Sequence, residues 1–132
     1  RVDEKWICLN PLVWDIYDKK PYTKREIEEL NVSRSYALFG FLANVRAPNK
    51  DGFGESKGLP EDISIEVKEK YEDWGLDAHS ESYLTLKELN SKLDYIKKEF
   101  DWFYDDIMVE LNHHMIDNTT EDDIRIVFWF DN

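Results

Sequence analysis

One cysteine, Cys8, is all the thiol chemistry in this chain of 132 residues. A lone thiol closes no disulfide within the chain and builds no cysteine-rich zinc site, so a reducing compartment is the expectation. No apolar run reaches the ~18–20 residues that a bilayer-spanning helix needs, and no basic segment leads into an apolar one as in a secretory leader. No Met stands before Arg1, which implies trimming there. Basic charge is scarce as well: 17 Lys and Arg stand against 29 Asp and Glu, a formal net charge of −12. Such a surface repels nucleic-acid phosphates and anionic membranes, which argues against binding polymeric nucleic acid or a membrane. It could instead imitate nucleic acid in a basic groove of another protein, although solubility alone is a sufficient reason for the charge.

Apolar and aromatic side chains are what the chain has in quantity. It is 42% hydrophobic and 14% aromatic, with five Trp, in spite of 35% charged residues. That is enough to bury one core and too much for a disordered chain, so a single domain over residues 1–132 is expected.

Along the chain, Glu4 to Leu9 alternate as a strand, with Trp6 and Cys8 on one face and Ile7 and Leu9 on the other, until Asn10 and Pro11 break it. Leu12 to Tyr17 fit a second short strand, followed by a turn at Asp18 to Pro21. Thr23 with Glu26 three residues on has the form of a capping box, and Ile27 and Leu30 give a short peripheral helix its apolar edge. Ser35 to Val45 is apolar on nearly every side. Ala37, Gly40 and Ala43 recur at three-residue spacing there, the pattern of a central helix with one face small enough for close backbone contact. Ser33 or Ser35 can cap it. From Arg46 to Gly58, turn formers surround Phe53, which predicts a long mobile loop.

Ser64 is expected to cap a helix from Ile65 to Trp74 that Gly75 ends. Leu76 to Tyr83 reads as an irregular segment leading into a second capping box at Thr85 and Glu88. Leu89, Leu93, Ile96, Phe100, Phe103, Ile107 and Leu111 then make the stripe of a long amphipathic helix, broken near Asn90 and Ser91. A turn at Asp117 to Thr120 precedes a closing strand, Ile124 to Phe130, with Ile124, Ile126, Phe128 and Phe130 on one face and Arg125, Val127 and Trp129 on the other. There is no internal repeat. The expected fold is α+β: a small antiparallel sheet of the N-terminal strands plus the C-terminal strand, with helices packed on one face.

The residues able to do selective chemistry cluster in the middle of the chain. Arg34 and Arg46 flank the central helix, and at about 1.5 Å per helical residue roughly 18 Å separates them, so they cannot grip one phosphate together. Each is an anion-binding candidate or a partner for nearby carboxylates. His79 stands among Asp77, Ser80 and Ser82, where it either serves a ligand or ties down loop backbone. His113 and His114 are adjacent and lack the two-His-at-four spacing of a helical zinc site, so they read as favourable charges at a helix C-terminus. Tyr36, Phe53, Tyr71, Trp74 and Tyr83 are core candidates, but all except Tyr71 fall beside loops and helix ends, where a ring can stack on a base while Arg and Ser hold phosphate. Capped helix starts near Ser35, Ser64 and Thr85 are further phosphate candidates, whereas Gly52 and Gly54 are too sparse for a P-loop.

Four stretches carry a resemblance: Arg34-x-Tyr36-x-Leu38-Phe39-x-x-Leu42-Ala43-x-Val45-Arg46; Gly58-Leu59-Pro60-x-Asp62-x-Ser64; Asp77-x-His79-Ser80-x-Ser82-Tyr83-Leu84-Thr85-Leu86-x-Glu88-Leu89; and Arg125-Ile126-Val127-Phe128-Trp129-Phe130-Asp131-Asn132. Over about two thirds of its length the chain resembles a family of small proteins of tailed phages and prophages that brings no enzyme class with it. Members open with Met-Gly-Cys-Asp-Ile-His on a first strand. That opening is absent before Arg1, so the resemblance leaves open whether a first strand is missing and puts in question any metal or thiol chemistry shared between it and His79. It also implies a phage accessory product acting in the host cytoplasm, where such proteins commonly counter host defence.

The leading expectation is a non-catalytic protein that sequesters a small nucleotide-like immune signal through Arg34, Tyr36, Arg46, His79, Ser80 and Ser82. It assigns no catalytic residue, no metal ligand and no cofactor. One alternative is an acidic inhibitor that docks on a host defence protein through carboxylate-rich helix faces. Another is a hydrolase of nucleotides or phosphodiesters that uses His79. Trp129 either serves contacts between copies in a homo-oligomer or packs within one chain.

Overall fold

Ser35 accepts a hydrogen bond from the Leu38 N–H at 3.2 Å and so starts α1, Tyr36–Ala43, as the apolar run after it predicts. In the computed structural model, residues 1, 6, 14–15, 20–21, 35–113, 115 and 119–130 are described. Helix α1 buries Leu38, Phe41, Leu42 and Ala43 and is the centre of the core. It ends at Asn44, left-handed at φ 59°, whose N–H returns to the Gly40 carbonyl. The small face is used as expected: a Cβ on Gly40 would come within 1.5 Å of the Ala47 carbonyl oxygen, and one on Gly52 within 2.4 Å of the Phe41 carbonyl oxygen. The first part of the expected loop therefore lies on the helix, held by Asn49 N–H to Asn44 Oδ1 at 3.0 Å and Phe53 N–H to the Phe41 carbonyl at 2.9 Å.

Helix α2, Ile65–Trp74, is capped by Ser64 and ended by Gly75. The next residues differ from expectation. Only Gly75–Asp77 form a short 3-10 turn, and His79–Thr85 is a strand, β3, that pairs antiparallel with β4, Arg125–Phe130. The register sets Ser82 opposite Phe128 and Leu84 opposite Ile126, with a bulge between His79 and Ser82. Four polar residues in the stretch His79 to Ser82 hide the alternation, because an inward Ser82 looks polar in sequence yet is only 2% exposed.

Near the N-terminus, β1, Trp14–Asp15, pairs with β2, Lys20–Pro21, so part of the expected turn is strand. This pair and β3–β4 are two separate two-stranded sheets, and the described partner of the closing strand is β3 rather than an N-terminal strand. Apart from Trp6, the strand expected at 4–9 lies outside the described residues, as do the helix expected after Thr23 and part of the turn at 117–120. The α+β class holds.

The capping box of Thr85 and Glu88 starts α3, Leu86–Asn90, and the long stripe then runs through α4, Leu93–Glu99, α5, Asp101–Phe103, a π-helical turn, Tyr104–Met108, and α6, Val109–His113. The chain breaks after Asn90, near the expected place, and again at Phe100. Leu89, Ile96, Phe100, Phe103, Ile107 and Leu111 are all buried, with Leu93 packed at their edge. These helices cover the inner face of β3–β4, which presents Leu84, Ile126 and Phe128 to the same core. No helix among the described residues is long and apolar enough to cross a membrane.

Candidate ligand-binding face

Two left-handed residues, Asn44 and Arg46 at φ 59° and 63°, reverse the chain after α1 and carry Arg46 back over the start of the helix. Its guanidinium lies 5.3 Å from the Tyr36 ring centroid, and Nη1 donates to the phenol oxygen at 3.4 Å. Both side chains face solvent, Tyr36 at 46% exposure. A solvent-facing ring beside a cation offers a base one flat surface and a phosphate one charge.

From Tyr36 a row of rings leads across the molecule. Phe39 lies 6.1 Å from Tyr36, Phe130 lies 4.9 Å from Phe39, and His79 lies 6.2 Å from Phe130. At the far end His79 Nδ1 and Ser80 Oγ are 3.0 Å apart, and Ser80 is left-handed at φ 54° within the β3 bulge. Non-glycine residues are held in that conformation only where the surrounding structure over-determines it. Ser82 is engaged elsewhere. Its buried Oγ accepts the Lys57 N–H at 3.0 Å, and beside it Gly58 N–H reaches the Glu81 carbonyl at 2.9 Å, so Ser82 fastens the 53–58 segment to β3. Of the six expected ligand residues, then, the ring row links Tyr36 and Arg46 to His79 and Ser80, Ser82 is spent on the backbone, and Arg34 lies outside the described residues.

Sequence reasoning missed a groove of about 810 Å³ that begins one residue on from each member of the Tyr36–Arg46 pair, at Ala37 and Ala47. Its floor includes Tyr95, whose ring stacks on Phe41 at 5.0 Å and 17° and whose phenol oxygen accepts from Asn49 Nδ2 at 3.1 Å. Lys50, Asp51 and Glu99 supply its charge. The signal available in the sequence was the pair of Asn residues in a turn-rich stretch, since Asn is the residue after Gly that best tolerates a left-handed helix end. Tyr95 gave none, lying one position off the apolar stripe.

The outer face of the sheet holds a second polar cluster. Arg125 lies 3.7 Å from the Trp6 ring centroid and 5.8 Å from that of Tyr83, and Nη1 donates to Asp62 Oδ1 at 2.8 Å. Trp6 Nε1 donates to the other Asp62 oxygen at 2.7 Å. Hydrogen bonding from Arg125 is the main cause that holds the Asp62 carboxyl below its ordinary range. Lys57 lies 4.3 Å from the Tyr83 ring, and Tyr71 meets Trp129 edge-on at 5.3 Å. Burial, then a hydrogen bond to Glu81, raises the Tyr71 phenol. Trp129, a candidate for contacts between copies, thus packs within its own chain.

His113 is exposed at the end of α6, and His114 lies outside the described residues. Among the described residues no three His, Cys, Asp or Glu side chains converge as a metal site. Comparison with known proteins finds no matching protein-family model, no matching curated protein and no matching solved structure.

Proposed function

We propose that this chain is a phage accessory protein that counters host defence by binding and sequestering a small nucleotide-like signal without turning it over. One observation carries the reading: the exposed Tyr36 ring with the Arg46 guanidinium 5.3 Å from its centroid, at the edge of an open groove. A stacked base on such a ring is worth about 1–3 kcal/mol, and a phosphate beside Arg46 adds a charge-assisted bond. The acidity of the rest of the surface keeps longer nucleic acid away. The phage origin and the host cytoplasm rest on the sequence resemblance alone.

Titration calorimetry with cyclic dinucleotides and cyclic-ADP-ribose-type molecules tests the binding claim. Binding should be lost or weakened at least about 10-fold in Tyr36→Ala and Arg46→Ala, since one stack or one charge-assisted bond is worth that much. Both side chains are exposed, so unfolding free energy should move by less than about 0.5 kcal/mol in either variant. No heat from any member of the panel would sink the proposal.

A second reading has its own observation: the 3.0 Å contact of His79 Nδ1 with Ser80 Oγ at a left-handed serine. An imidazole beside a strained hydroxyl is the beginning of a nucleophile and its base. Time-dependent loss of a nucleotide or phosphodiester, abolished in Ser80→Ala and His79→Ala, would replace sequestration with hydrolysis.

A further inference from the structure

The groove beside the Tyr36–Arg46 pair, about 810 Å³, has a wall knitted by one residue. Asn49 commits all four of its polar groups there. Its N–H donates to Asn44 Oδ1 at 3.0 Å and its Nδ2 to the Tyr95 phenol oxygen at 3.1 Å, while its Oδ1 accepts the Asp51 N–H at 2.9 Å and its carbonyl the Gly52 N–H at 3.1 Å. Gly52 in turn lies too close to the Phe41 carbonyl for any side chain, so the turn is seated on α1. This holds the Asp51 backbone at the groove, which Glu99 also lines. Among the described residues neither carboxylate has a hydrogen-bond or ion-pair partner.

Three features of the lining decide what fits. Two carboxylates against the single cation Lys50 leave the groove net negative, so a phosphate stays at its rim beside Arg46. Ionised carboxylates can only accept, and the Tyr95 hydroxyl, having accepted from Asn49, keeps its proton to donate. The rings of the groove are committed inward, Tyr95 stacked on Phe41 and Phe100 only 5% exposed, which leaves the base to Tyr36. An occupant that is uncharged, not aromatic and rich in hydroxyls, joined to a base on one side and a phosphate on the other, is a ribose.

We propose that the groove seats the ribose of the bound nucleotide, Asp51 and Glu99 accepting from a free 2′,3′-diol while the base lies on Tyr36. An acidic side chain on a ribose hydroxyl is the same solution that dinucleotide-binding folds use. The inference rests on the sequestration reading and narrows its ligand. Nucleotides that keep both ring hydroxyls, cyclic-ADP-ribose-type molecules among them, are taken. Cyclic dinucleotides linked 3′ to 5′ have their 3′ oxygens esterified and are not.

Calorimetric titration of adenosine monophosphate and its 2′,3′-dideoxy form, beside cyclic ADP-ribose and a 3′,5′-linked cyclic diadenylate, tests the diol directly. The dideoxy form should bind at least about 10-fold more weakly than its parent, since hydrogen bonds to a carboxylate are charge-assisted. Asp51→Ala combined with Glu99→Ala should weaken the diol-bearing molecules about 10-fold and leave the dideoxy form unchanged or tighter. Both side chains are exposed, so circular dichroism should not change. A dideoxy form that binds as well as its parent, with Tyr36→Ala still weakening both, would overturn the ribose assignment and leave base stacking standing. Cyclic diadenylate bound as tightly as cyclic ADP-ribose would overturn it too. No binding by any of the four would remove both readings together.

Discussion

The two faces of the β3–β4 sheet come from the same two strands and are held by different physics. The inner face sets Leu84, Ile126 and Phe128 into an apolar core with α1 and the later helices. The outer face stacks Arg125 among Trp6 and Tyr83 and ties it to Asp62. On the inner face stabilisation scales with area removed from water, and every lost methylene leaves a hole. On the outer face it is electrostatic, with one partner nearly out of solvent, the Arg125 side chain at 7% exposure, and the other, Asp62, at 62%. A sheet of two strands needs both covers, because a lone hairpin is marginal in water.

The widest gap between the faces should come from Leu84→Ala. Leu84 is 2% exposed among close-packed neighbours, so its truncation should remove about 2–5 kcal/mol of unfolding free energy in urea without changing the slope. Arg125→Met, which keeps most of the stem over Trp6, should remove only about 1 kcal/mol. The carboxylate it leaves behind is largely hydrated, and a screened pair contributes little. A loss of 3–5 kcal/mol from Arg125→Met would mean that the outer face behaves as a buried ion pair and would erase the contrast.

How far each face could be read in advance follows from the same difference. Strand β4 was legible because Ile126, Phe128 and Phe130 alternate with Arg125, Val127 and Trp129, and burial enforces that alternation. The helix stripe from Leu89 to Leu111 and the caps at Ser35, Ser64 and Thr85 were legible for equally local reasons. Strand β3 was not, since Ser82 is buried for the sake of a backbone N–H from Lys57, and that partner is 25 residues away. In the candidate site, Tyr36 and Arg46 were named singly, but their meeting depends on a left-handed conformation at Arg46 that no residue preference announces. The Trp6–Arg125–Asp62 cluster joins positions far apart in the chain and left no local pattern at all.

The smallest effect separates the faces most cleanly, because only one of them responds to acid. Asp62 titrates below its ordinary value of 3.8 in the folded chain, chiefly because Arg125 hydrogen-bonds to its charged form. A carboxyl with a depressed folded value binds fewer protons folded than unfolded, so its contribution is complete above the ordinary value and is lost as the pH falls through the folded one. Exposure screens this contribution to less than about 1 kcal/mol. Asp123, lowered mainly by the Thr120 backbone N–H, adds a second dependence of the same sign. Urea midpoints measured from neutral pH down to about pH 2 should therefore show Asp62→Asn less stable than the parent at neutrality and equal to it at the acid end, whereas the deficit of Leu84→Ala should stay constant throughout. An Asp62→Asn deficit that persisted unchanged at the acid end would mean that the carboxylate charge contributes nothing, and no deficit at any pH would mean that the outer face is held by ring contact alone.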